Sequence, residues 1–217
     1  MTPRHHVSDD LLVSYAAGNL AEGWSLAVAT HLSLCPECRN SLRFAEGAGG
    51  QMLESLAAEP ATASSWDAVR ARLSAEPAAP APKMASHTGT AVLPKALRDY
   101  IGGDVDAIKW QALGTGAAQM RLKTGDRETQ VRLLRIPAGK PVPEHSHRGR
   151  ELTVVLSGAF NDGETLFARG DIEDADAEIQ HIPTATLDAD CICLAVTDAP
   201  LRFRSWIVRA LQPILGI

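Results

Sequence analysis

The stretch His31-Leu32-Ser33-Leu34-Cys35-Pro36-Glu37-Cys38 puts three metal-binding side chains at spacings that a helix and a tight knuckle can use. Residues four apart share one face of a helix, so His31 and Cys35 can address the same ion. Cys35 and Cys38 form the C-x2-C pair of tetrahedral thiolate sites, and His5 or His6 upstream can complete a fourth position with imidazole. Four protein ligands leave no vacancy for a substrate, so the group reads as structural or sensory zinc. The bland alternative is a pair of reduced core cysteines beside an incidental histidine.

The residues around this segment read as short helices. Ser8 suits an N-cap, with Asp9 and Asp10 in the first turn where the helix dipole favours acids. Leu11, Leu12 and Tyr15 form an apolar face, and Gly18 supplies a left-handed stop. A second helix is expected from about Leu20 to Leu34. Pro36 then suits the first turn of a third, running towards Leu56 unless Gly47 to Gly50 interrupt it. A fourth is expected over Ser64–Ser74, capped by Ser64 or Ser65, with Trp66, Val69 and Leu73 at helical spacing. That stripe is either core or a face that docks on a partner. Ala75 to Pro94, rich in proline and alanine, reads as an extended linker.

From about Trp110 the pattern changes to short alternating runs broken by Gly, Asp and Pro. These are Gln119–Leu122, Thr129–Ile136, Glu151–Leu156, Thr165–Ala168, Cys191–Val196 and Arg202–Val208. Runs of this length and spacing predict an all-β sandwich or barrel. Cys191 and Cys193 fall on one face of their strand. They read as small buried residues, with a redox-active pair as the alternative.

Within the β half, His145 and His147 are two apart and project to the same side of an extended segment. Glu151 follows a turn that can fold it back beside them, and His181 would come from a strand pairing across the sheet. Three imidazoles and a carboxylate suit Zn, Fe, Mn, Ni or Cu, and the residues do not choose among them.

Composition bounds the function. The 217 residues are 45% hydrophobic and 22% charged, with a net charge of −5, which disfavours a DNA-binding surface as the main activity. An acidic surface fits a partner with a basic face. No apolar run approaches the ~18–20 residues that span a bilayer, and the opening residues lack the apolar core of a secretory signal. The expectation is a cytoplasmic protein with metal or thiol chemistry rather than disulfides.

The spacing Gly139-x5-His145-x-His147-x3-Glu151-x6-Gly158 resembles the first motif of the cupin superfamily at every position. Gly170-Asp171 with His181 resembles the second motif, without its usual Pro-x-Gly and downstream Asn. The amino-terminal half, with His6, His31, Cys35 and Cys38, resembles the zinc-containing anti-sigma domain. The chain as a whole resembles the ChrR family of anti-sigma factors. Its opening Arg4-His5-His6-Val7-Ser8 and the late Cys191-Ile192-Cys193-Leu194-Ala195-Val196 run belong to that resemblance.

The resemblance implies an α + β chain of two domains. A small zinc-bound helical anti-sigma domain over 1–75 is followed by a Pro/Ala-rich linker over 76–100 and an all-β cupin barrel over 101–217. It implies Zn2+ at His6, His31, Cys35 and Cys38, with His6 favoured over His5 by motif alignment. It also implies Zn2+ or another divalent transition metal at His145, His147, Glu151 and His181. The implied partner is an extracytoplasmic-function-type sigma factor, released under singlet oxygen or organic hydroperoxide stress. No catalytic residue, direct nucleic-acid contact or membrane contact is implied, and a homodimer through the cupin half is an option. The competing expectation is a metal-dependent, dioxygenase-like cupin enzyme with a helical regulatory domain.

Overall fold

A computed structural model of the chain describes residues 2–60, 62–75, 91–114, 116–200 and 202–203. Among the described residues five α-helices come first: α1 (Asp9–Ala16), α2 (Glu22–Leu34), α3 (Pro36–Glu54), α4 (Ala63–Ser74) and α5 (Lys95–Ile101). Ser8 occupies the N-cap of α1 but makes no side-chain cap bond. Its hydroxyl instead accepts from the Arg150 guanidinium at 3.2 Å. Helix α3 runs through Gly47, Gly49 and Gly50 without a break, and Thr62 rather than Ser64 or Ser65 precedes α4. Pro36 fills the first turn of α3, where a missing N–H leaves no bond unmade.

Helix α5 lies inside the stretch expected to be linker. Leu93 and Leu97 are fully buried there, and Gly102 ends the helix in the left-handed conformation at φ 81°. A seven-residue helix has a weak periodic signal of its own, so its order comes from this packing. Residues 76–90, the proline-rich part of the expected linker, lie outside the described residues.

The strands are β1 (Gln111–Gly114), β2 (Ala117–Leu122), β3 (Gln130–Ile136), β4 (His145–Ser146), β5 (Glu151–Ser157) and β6 (Ala159–Asp162). They continue as β7 (Thr165–Ala168), β8 (Ile172–Ala175), β9 (Gln180–His181), β10 (Thr184–Ala185), β11 (Cys191–Thr197) and β12 (Arg202–Phe203). Of the strand expected over Arg202–Val208, residues 204–208 lie outside the described residues. Six strands form one sheet in the order β1-β2-β3-β11-β5-β8, beside two three-stranded sheets, β10-β6-β7 and β12-β4-β9. The described strands therefore make three sheets, which bear out the expected helices followed by an all-β half without closing into one continuous barrel. The two-residue strands β4, β9 and β10 are too short to stitch the sheets into a continuous ladder.

Strands β5 and β11, inside the large sheet, are buried on both faces. Leu152, Val154, Leu156, Leu133, Leu194 and Val196 join one core that also holds Leu11, Leu12, Leu26, Val28 and Leu97 from the helices and Leu93 just before α5. The opposite face turns Glu151, Thr153, Cys191 and Cys193 into an internal cavity. Helices α2 and α5 thus roof the β half, and helices and sheet share one apolar core. Polar contacts fasten this roof. The Asp126 carboxylate accepts from Gly23 N at 2.9 Å, and Glu22 accepts from the Tyr100 hydroxyl and from Gly125 N. Arg150 forks onto Asp174 at 2.7 and 2.5 Å and reaches Asp10 at 3.4 Å. Among the described residues no helix is long and apolar enough to cross a membrane.

Candidate metal centres

The end of α2 and the start of α3 build the first centre. Cys35, between the helices, is extended at φ −107°, and its sulfur accepts from Cys38 N at 3.4 Å. His31 Nε2 is 3.1 Å from Cys38 Sγ. His6 Nδ1 is 3.4 Å from Cys35 Sγ and 3.5 Å from Cys38 Sγ. All four ligand atoms lie within 4.8 Å of one another. Bonds of 2.0–2.1 Å to nitrogen and 2.3 Å to sulfur give a tetrahedron with edges of about 3.3–3.8 Å. The four residues therefore fit one small cation. His5 turns away: its Nε2 donates to Leu166 O at 3.2 Å, and its ring lies 4.4 Å from that of Phe167.

Burial sets the electrostatics. His31 is fully buried, and desolvation pulls its pKa down to about 4, so it is neutral at physiological pH. Its Nδ1 lies 2.7 Å from Gly170 O. A carbonyl can only accept, so Nδ1 carries the proton and Nε2 offers its lone pair to the cluster. Burial likewise pushes the Cys38 thiol up to about 12, so a metal must displace its proton.

The second centre sits on β4, β9 and the turn before β5. His145 and His181 are direct partners across the β4–β9 pair. His181 Nε2 is 3.2 Å from His145 Nε2 and 3.1 Å from His147 Nε2. Two-nitrogen edges of about 3.3 Å suit a tetrahedral ion and about 3.0 Å an octahedral one, so the three imidazoles fit either geometry. Desolvation lowers His145 and His147 to about 4, leaving both neutral. Two rings are held by acceptors: His145 Nδ1 donates to Pro143 O at 2.8 Å and His181 Nδ1 to Asp162 Oδ2 at 3.0 Å.

Glu151 flanks this trio. Its Oε2 lies 3.5 Å from His147 Nδ1, and its Oε1 accepts from the Thr153 hydroxyl at 3.0 Å. Burial pushes its carboxyl up. Two acids that no motif pointed to stand on the other side of His181, Asp162 and Glu173, with Glu173 Oε1 3.8 Å from Nδ1. Burial first, and the neighbouring Asp162 second, push Glu173 up to about 8. Asp162 reads in sequence as an ordinary turn acid before Gly163, so only the fold reveals it. Cys191 and Cys193 are free, buried thiols facing a cavity of about 80 Å³ that His145, Glu151 and Glu173 also line. Its hydrogen bond with Cys191 and then burial push Cys193 well up, away from a reactive thiolate.

Comparison with known proteins adds to this geometry. Residues 99–200 match the model of the ChrR cupin-like domain. The whole chain is 48% identical over 217 residues to the anti-sigma-E factor ChrR of Cereibacter sphaeroides, covering 100% of both chains. The chain belongs to the ChrR family of anti-sigma factors.

A crystal structure of Rhodobacter sphaeroides SigE in complex with the anti-sigma ChrR superposes with a TM-score of 0.80 and 47% identity. It covers 91% of this chain and 100% of that one. An RmlC-like cupin from Ralstonia eutropha JMP134 is 20% identical over 48% of this chain and 71% of its own, with a TM-score of 0.41. ChrR-family membership across the full length places the chain among regulators rather than enzymes, which removes the footing of the dioxygenase alternative.

Proposed function

We propose that this protein is a cytoplasmic anti-sigma factor that binds an extracytoplasmic-function-type sigma factor and holds it from core RNA polymerase. The observation that carries this reading is the end-to-end likeness to an anti-sigma factor. Residues 1–75 are the sigma-binding unit, 76–100 the connecting stretch and 101–217 the sensory cupin unit. Zn2+ at His6, His31, Cys35 and Cys38 fixes the helical unit, and the fit of these four donors to a tetrahedral ion supports that assignment.

The contact surface follows from exposure. Every described side chain of α4 is exposed, including Trp66 at 59% and Leu73 at 76%. The outer half of α3 adds Phe44 at 87%, with Met52 and Leu53 also exposed. Apolar side chains in such a run mark an interaction face, and sigma factors offer apolar and basic surfaces to receive it. Zinc or another divalent transition metal at His145, His147, Glu151 and His181 serves the response. Singlet oxygen or organic hydroperoxide changes the cupin unit, and the sigma factor is released. Buried, neutral imidazoles whose nitrogens converge on one point support a metal there.

The test is co-expression with a sigma factor encoded nearby, followed by co-purification and zinc quantification. A stable complex carrying zinc is expected. A metal-loaded chain that leaves such sigma factors free and polymerase-competent would end the proposal.

A further inference from the structure

The amino-terminal segment is tied down by the turn between β7 and β8. The Asp171 carboxylate accepts from Arg4 N at 2.5 Å and His5 N at 3.0 Å through Oδ1, and from Ala168 N at 2.8 Å through Oδ2. Ile172 N donates to His5 O at 3.4 Å. The next residue after this anchored pair is His6, whose Nδ1 enters the thiolate cluster. One position before Asp171, the Gly170 carbonyl holds the Nδ1 proton of His31. The turn is shaped for this contact: Gly170 sits at φ +95°, and a Cβ there would meet Pro3 at 2.7 Å and Leu34 at 3.4 Å. Asp171 itself is only 3% exposed.

We propose that Gly170 and Asp171, both in the cupin half, are positioning residues for the amino-terminal metal centre. Gly170 fixes the tautomer of His31, and Asp171 fixes the backbone that delivers His6. Two of the four ligands are thus aimed by a distant turn, with Gly170 lying 139 residues downstream of His31. This inference rests on the metal reading above and deepens it.

Seating of the amino-terminal segment on the cupin half then raises metal affinity. By thermodynamic reciprocity, metal at the thiolate site tightens that seating by the same factor. Strand β8 also carries Glu173, 3.8 Å from His181 of the second centre. His6 and Glu173 line one groove. A change at the cupin centre that moves β8 therefore reaches the His31 and His6 supports without touching either cysteine.

The test uses the full-length protein stripped of metal and titrated with Co2+ against a competing chelator. Thiolate-to-cobalt charge-transfer absorption reports the Cys35/Cys38 site, read in a Cys191→Ser/Cys193→Ser background that removes the thiols lining the cupin cavity. Asp171→Ala is expected to weaken this site about 10–100-fold, in the range of lost outer-sphere support. Asp171→Asn keeps one acceptor oxygen for the Arg4 and His5 amides, should weaken it less, and replaces the Ala variant if that one does not fold. Asp126→Ala, which loosens the same roof at Gly23 far from the ligands, should leave cobalt affinity unchanged. Wild-type affinity in both Asp171 variants, or an equal loss in Asp126→Ala, would overturn the inference. Absence of the thiolate band in the wild-type protein would overturn the metal reading on which it rests.

Discussion

His181 Nδ1 lies 3.0 Å from Asp162 Oδ2, and this pair decides what the other ring nitrogen can do. A carboxylate held against Nδ1 keeps the proton there and leaves Nε2 bare, aimed at His145 and His147. Asp162→Ala is expected to weaken divalent metal binding at the cupin centre by about 10–100-fold, and Asp162→Asn by less. Titration in a Cys35→Ala/Cys38→Ala background isolates this centre. Unchanged affinity in Asp162→Ala would show that His181 is oriented by something else.

Removing either thiol tests the first centre. Cys35→Ala or Cys38→Ala leaves three donors and is expected to abolish stoichiometric zinc in the helical unit. Metal that binds only the folded arrangement stabilises it. The sigma complex should therefore weaken by about tenfold or more, as read by titration calorimetry. A zinc-free variant that inhibits as well as the parent would contradict a clamp built on metal.

Much of this was readable from the chain, and the gaps have physical causes. The knuckle His31-x3-Cys35-x2-Cys38 and the triad His145, His147 and His181 were legible because local spacing brings them close, or because a motif records the long-range partner. The choice between His5 and His6 was not legible from local spacing. It depends on Leu166 and Phe167 holding the His5 ring from across the fold. Asp162 and Glu173 carry no local signature and matter only because β6 and β8 place them beside His181. Helix α5 was lost to the expected linker because seven residues show too little periodicity. The shared core was hidden for another reason. Alternating strands announce that one face is buried, but they do not say that helices from the chain's own start provide the cover.

Helix α4 exposes Trp66, Val69 and Leu73, and among the described residues none of the three joins a core cluster. Trp66→Ala and Leu73→Asp should change the stability of the free protein by no more than about 0.5 kcal/mol, since both side chains are largely exposed. Trp66→Ala should nonetheless weaken sigma binding by about 2 kcal/mol or more, the range of buried aromatic anchors. Equal losses of folding stability and of binding would instead make α4 a core helix.

The metal-free protein should show a stability maximum in pH. His31, His145 and His147 titrate at about 4 in the fold against 6.5 in a free chain. Between those values the unfolded chain binds more protons, so stability is lost as pH falls from 6.5 towards 4. Glu173 behaves oppositely, at about 8 in the fold against 4.5. Its contribution is fully present below 4.5 and is lost as pH rises through about 8. Glu151, also pushed up by burial, acts in the same sense as Glu173. Three imidazoles outweigh these two carboxyls well below 6.5, and the carboxyls prevail above it. Thermal melts of chelator-treated protein should thus peak near pH 6.5. Metal-loaded protein should peak at higher pH, because ligation favours deprotonated imidazole and thiolate. Coincident profiles would mean that these groups do not hold the metal.

Gly23 offers the sharpest test of whether helices and sheet fold as one body. A Cβ at this position would lie 2.1 Å from Thr129 Oγ1 and 2.8 Å from Val131 Cγ2, so α2 lies flush on β3. On an exposed helix, Gly→Val would gain a few tenths of a kcal/mol from propensity. Here the added methyls meet a β-branched pair, and Thr129 is already fixed by its bonds to Asp126 at 2.9 and 3.0 Å. Overpacking of this kind costs about 1–3 kcal/mol, so the clash outweighs the propensity gain. Gly23→Val should lower the denaturant midpoint of one transition, reported alike by the helical signal and by Trp110 fluorescence in a background with the other three tryptophans replaced by Phe. Trp110 packs against the same core. Two separated transitions, with only the helical one shifted, would show that the roof and the sheet are independent units.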